Sequence, residues 1–80
     1  MKVTKFASNT CVKCKVLDGI IKQAGLKDVN VVYSEDNSEE FEKNNVTTVP
    51  TLLLENGDKR EILEGLVSPA MIKEALARVE

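Results

Sequence analysis

Cys11 and Cys14 are the only cysteines in the chain, and Val12 and Lys13 separate them. That spacing suits dithiol chemistry, in which one thiolate attacks a disulfide sulfur and the second displaces it from the mixed disulfide. A structural role is weaker on energetic grounds. The loop-entropy estimate gives so small a ring roughly 2 kcal/mol of stabilisation, against about 4.7 kcal/mol for a 100-residue loop. The same two sulfurs could form half of a tetrahedral zinc or iron–sulfur centre. The chain has no histidine, so a four-ligand site would need a second chain. This ligand arithmetic favours dithiol chemistry, with metal none.

To act in turn, the two thiols need different surroundings, and the flanking sequence provides them. Lys2 to Ala7 reads as a strand, and Ser8, Asn9 and Thr10 form a short polar connection into a helix beginning near Cys11. Thr10 or Asn9 is expected to cap this helix and Gly25 to stop it. Cys14, Leu17, Ile21 and Ala24 fall on one face, with Val16 and Ile20 alongside, while Lys13, Asp18 and Lys22 point elsewhere. Cys14 therefore lies on the buried side. Cys11 falls in the first turn, where unpaired N–H groups and the helix dipole favour an anion, and is expected to be the nucleophile. Bringing a thiol from about 8.5 to near 7 needs roughly 2 kcal/mol of preferential thiolate stabilisation. About 0.3 to 1 kcal/mol from the dipole, with N–H···S contacts, supplies much of that. Lys13 and Lys15 are candidates to add to it, although ordinary solvated helix charges explain each equally well.

Beyond Gly25, Val29 to Tyr33 is β-branched and aromatic and reads as a strand parallel to the first, because a helix joins them. Asp36 and Glu39 have capping-box spacing and lead a short helix through Phe41 to about Asn44. A helix N-terminus is sufficient reason for Glu35, Asp36, Glu39 and Glu40. Thr51 to Glu55 and Lys59 to Glu64 form a hairpin around Asn56 and Gly57. Ser68 caps a last helix with Pro69 in its first turn and Met71, Ile72, Ala75, Leu76 and Val79 on its apolar face. The order is βαβαββα in a single domain, residues 1–80.

The net charge of −2 argues against a nucleic-acid partner, which calls for a basic face. Met1 to Ser8 lacks the apolar core of a signal peptide, and no run approaches a membrane span. The expected setting is cytoplasmic, where a close cysteine pair is more often redox-active or metal-binding than structural.

Over nearly its full length the chain resembles the thioredoxin superfamily. Cys11 to Cys14 followed by Lys15 looks like the family's C-x-x-C site. Val49, Pro50, Thr51, Leu52 and Leu53 resemble its Val/Ile-Pro-Thr segment. Asn56, Gly57 and Asp58 resemble its hairpin turn, and Gly65 falls where a family glycine follows the last strand. The implied fold is α/β, a minimal thioredoxin-like βαβαββα with a four-stranded mixed sheet flanked by three helices. The resemblance also implies that Pro50 is cis and shapes a substrate groove beside Cys11, with the Val49 backbone pairing with an incoming peptide. Thr10, Val49, Pro50 and Gly65 are the implied substrate-binding positions.

Four departures stand out. Thr10 replaces the usual tryptophan, and Val12 with Lys13 replaces Gly-Pro. Lys5 aligns with the buried aspartate that assists the second cysteine, leaving water, Lys5 as an amine, or a nearby carboxylate to deprotonate Cys14. Gly19 stands where thioredoxins have a helix-kinking proline.

The size resembles glutaredoxin, but the glutathione-contacting Gly-Gly-x-Asp-Asp-like segment is missing. Gly65, Leu66, Val67 and Ser68 are similar to a thioredoxin ending. The chain thus resembles a short, glutaredoxin-sized thioredoxin of archaeal or phage type. The implied activity is protein-disulfide reduction by a monomer, with no cofactor beyond the redox-active Cys11–Cys14 disulfide. The implied partners are a thioredoxin-reductase-type flavoenzyme and disulfide-containing proteins such as ribonucleotide reductase or peroxiredoxin. The competing readings are a glutathione-dependent glutaredoxin, a metal-binding module and a redox-inert interaction module with the same fold.

Overall fold

A computed structural model describes residues 1–80. The elements run β1 (Lys2–Ala7), α1 (Val12–Gln23), β2 (Asn30–Tyr33), α2 (Ser38–Lys43), β3 (Thr51–Asn56), β4 (Lys59–Glu64) and α3 (Pro69–Val79). The strands form one sheet in the order β2-β1-β3-β4, with β1 parallel to β2 and both other pairings antiparallel. This is the expected mixed sheet. No helix is long and apolar enough to cross a membrane.

Strand periodicity divides the buried residues between the two faces. Val3 on β1, Leu52 and Leu54 on β3, and Leu63 on β4 pack with Leu17 and Ile21 of α1 and with Ile72, Ala75 and Val79 of α3. On the opposite face, Phe6 meets Phe41 of α2 edge to face, with ring centroids 5.0 Å apart. β1 and β3 are the central strands, and β3 is buried from Thr51 through Leu54. β2 is a free edge, and three of its four residues are exposed.

Helix ends and flanks depart from the expected pattern in several places. Cys11 itself is the N-cap of α1, in place of Thr10 or Asn9. The Cys11 N–H donates to the Ser8 carbonyl and the Ser8 and Thr10 hydroxyls lie 3.2 Å apart, so residues 8–11 form a turn that commits the Thr10 side chain. The capping box expected of Asp36 and Glu39 does not form. The Asp36 and Asn37 N–H groups both donate to the Tyr33 carbonyl, and this turn delays the helix until Ser38.

In the hairpin, Asn56 is the last residue of β3 and pairs with Lys59, leaving Gly57 and Asp58 as the turn. Only Gly57 takes positive φ there, at 64°, as a type II′ turn requires of its first central residue. The Asn56 side chain instead donates to the Val79 carbonyl at the end of α3, at 2.7 Å. Val16 and Met71 lie off their helices' buried stripes and are exposed.

Two helix ends follow expectation. Gly25, with φ 79°, closes α1 in a Schellman arrangement: its N–H donates to Lys22, and that of Leu26 to Ile21. Ser68 caps α3 by accepting from the Met71 N–H at 3.2 Å.

Candidate active site

The two cysteines are joined as a disulfide, with Cα atoms 5.3 Å apart. They are unequally placed, Cys11 being half-buried at the head of α1 and Cys14 buried at 4% exposure. Cys11 Sγ accepts the Cys14 backbone N–H at 3.1 Å, the bond that an N-cap oxygen normally makes to the third helical residue. One of the helix's unpaired donors and the positive end of its dipole therefore face the sulfur expected to attack.

A cavity of about 100 Å³ opens beside the disulfide, lined by Lys5, Ala7, Ser8, Asn9, Cys11, Cys14, Lys15, Asp18 and Tyr33. Among the three candidate lysines, Lys5 and Lys15 reach this wall, whereas Lys13 is exposed and lies outside it. Lys5 is 4% exposed on the helix-covered face of β1, between Val31 of β2 and Leu52 of β3 in the strand register. Its ammonium pairs with the Asp18 carboxylate. Helical spacing alone points Asp18 away from the site, whereas the folded chain brings it into the cavity lining. It sits next to Leu17 and four residues beyond Cys14, at the flank of the buried stripe, from which its carboxylate reaches inward.

The other expected site residues gather at the same end of the sheet. Phe6 pairs with Thr51, so Pro50 falls beside the end of β1, where the chain turns toward Cys11. The Val49–Pro50 bond is cis, and Pro50 is fully buried. The Gly65 N–H donates to the Pro50 carbonyl at 2.8 Å, tying the end of β4 to the start of β3. Gly65 has φ 75°, a conformation that side-chain-bearing residues rarely adopt. Thr10 is exposed in the turn before Cys11, and Val49 is half-buried. This arrangement lies at the C-terminal ends of β1 and β2, the usual location for sites in open α/β sheets.

Two participants were not singled out from the sequence. Tyr33 closes one side of the cavity from the end of β2. Glu35 receives the Asn9 backbone N–H on both carboxylate oxygens at 3.3 Å and the Ser34 hydroxyl at 3.3 Å. Its own backbone N–H, followed by those other donors, holds its carboxyl below the usual value of 4.5, and desolvation opposes them only in part. Its role is to tether the turn that precedes Cys11. Local sequence explains Glu35 as a helix-start carboxylate, and only the parallel pairing of β1 with β2 brings it to Asn9.

No protein-family model and no curated protein sequence matches the chain. Solved structures do. Thioredoxin 1 from Thermosipho africanus TCF52B superimposes with a TM-score of 0.75 at 22% identity, over 98% of this chain and 92% of that one. Desulfothioredoxin from Desulfovibrio vulgaris Hildenborough gives 0.79 at 22% identity, over 95% and 78%. A thioredoxin from Nicotiana alata gives 0.76 at 25% identity, over 98% and 72%. The fold matches along the chain while most of the sequence differs.

Proposed function

With the thioredoxin fold as premise, we propose that the chain is a thiol-disulfide oxidoreductase that reduces protein disulfides. The placement of Cys11 Sγ at the N-cap of α1, directly bonded to buried Cys14, carries this reading. In the reduced protein the Cys11 thiolate attacks a substrate disulfide, forming a mixed disulfide and releasing the first substrate thiolate. Cys14 then attacks Cys11 Sγ, expelling the second substrate thiolate and leaving Cys11 joined to Cys14. The substrate gains two electrons, and the dithiol loses them.

We assign Thr10, Val49, Pro50 and Gly65, which gather at the same end of the sheet as the dithiol, to the substrate groove, with Pro50 shaping it from the buried side and the Val49 backbone receiving the extended substrate segment. The cycle needs a two-electron reductant, for which we assign a thioredoxin-reductase-type flavoenzyme. The substrates are proteins that form disulfides during turnover, of the ribonucleotide reductase or peroxiredoxin kind, in a reducing cytoplasm.

Insulin-disulfide reduction tests the assignment. Cys11→Ser is expected to abolish it, and Cys14→Ser to accumulate mixed disulfides with the substrate. Full activity of Cys11→Ser overturns the reading.

A further inference from the structure

We propose that Lys5, held in place by Asp18, is the electrostatic partner of the Cys14 thiolate during the second half of the cycle. This deepens the oxidoreductase reading and rests on it. Lys5 is the only charged residue buried in the chain. A buried ammonium is costly unless paired, and an apolar side chain of the same length would fill the position without that cost. Here the charged residue lines the same cavity as both cysteines.

The pair is lopsided. The Lys5 side chain is 5% exposed and that of Asp18 is 53% exposed. Water screens the carboxylate far more than the ammonium, so the field reaching the cavity from this pair is net positive. The other ionisable groups facing the cavity are Lys15 of α1 and Tyr33 of β2, while the strand partners of Lys5 are Val31 and Leu52. No carboxylate other than Asp18 lines the cavity.

Cys14 needs such a field. Burial disfavours a thiolate, yet this sulfur must ionise to resolve the mixed disulfide. In the resolving step the Cys14 thiol releases its proton to solvent, and its electron pair forms the bond to Cys11 Sγ. The bond from Cys11 to the substrate sulfur breaks, and its electron pair leaves with that sulfur, which takes up a proton. Lys5 is a positioning residue here: its charge favours the Cys14 thiolate, and it neither donates nor removes the proton. Asp18 holds the ammonium while partly offsetting its charge.

The experiment measures the Cys14 thiol pKa in a Cys11→Ser background by pH-dependent alkylation or by the 13C shift of its Cβ. It also measures the release rate of a preformed mixed disulfide in the otherwise native chain. Lys5→Met is expected to raise the pKa by about one unit, a tenfold loss of thiolate, and to slow release about tenfold. Asp18→Asn, at the exposed flank of α1, is expected to move the pKa the opposite way and provides an independent arm if Lys5→Met folds poorly. An unchanged pKa in Lys5→Met overturns the proposal, as does a rise in Asp18→Asn, which would make the carboxylate the proton acceptor. Failure of the parent chain to reduce insulin would instead overturn the functional reading, and the Cys14 pKa would remain measurable.

Discussion

The stability of the Lys5–Asp18 pair is open to a quantitative test. Breaking a fully buried ion pair costs about 3 to 5 kcal/mol, because the surviving charge is stranded, whereas an exposed pair is worth about 0 to 1 kcal/mol. With one partner buried and the other half in water, Asp18→Asn is expected to destabilise the fold by about 1 to 2 kcal/mol. Lys5→Met removes the stranded charge and retains an apolar stem, so it should be near neutral or stabilising. The informative quantity is the double mutant: once Lys5 is Met, the cost of Asp18→Asn should fall to about zero. Urea unfolding of the four variants in the oxidised state gives the coupling directly, provided that the m-values agree. For a domain of this size each kcal/mol corresponds to about 4 to 8 °C in Tm, so the single-variant effect lies well above error. An equal cost of Asp18→Asn in both backgrounds would refute the pairing and its role beneath the disulfide.

Charge in the cavity wall should outweigh charge on the outer helix surface. Lys15→Gln is therefore expected to raise the Cys11 thiol pKa more than Lys13→Gln does, as read from iodoacetamide rates against pH, and the reverse order would contradict the placement of Lys15 in the wall. Glu35 gives an acid-sensitive tether. Its carboxyl is held below 4.5 in the folded chain, so its stabilisation is present above that pH and is lost as pH falls through the lower folded value. Glu35→Gln should abolish the corresponding acid-induced rise in Asn9 amide exchange, and an unchanged pH profile would remove Glu35 from the tether.

Periodicity and punctuation made the architecture legible. Strand and helix repeats, Gly25, Ser68-Pro69 and the hairpin glycine are local signals, and each lies where it was expected. The Cys11–Cys14 asymmetry was equally readable, because helical spacing alone puts Cys14 on the buried stripe. What escaped were contacts that depend on how separate elements meet. Asn56 reads as a turn residue until α3 is docked, when its amide becomes committed to Val79. Asp18 reads as a solvated helix charge until α1 is set against β1, when it reaches Lys5. Thr10 is a sound N-cap by residue type, yet the tight turn at Ser8 puts the Cys11 sulfur in that role.

The position of Lys5 in β1 also bears on how the strand finds its partners. Shifting β1 by one residue exchanges the two faces of the strand. That error would carry the ammonium toward Phe41 and away from its carboxylate, and it would direct the Phe6 ring toward the sulfurs. Under the role proposed for Lys5, the same buried charge that favours the Cys14 thiolate thus also penalises a one-residue mispairing of β1.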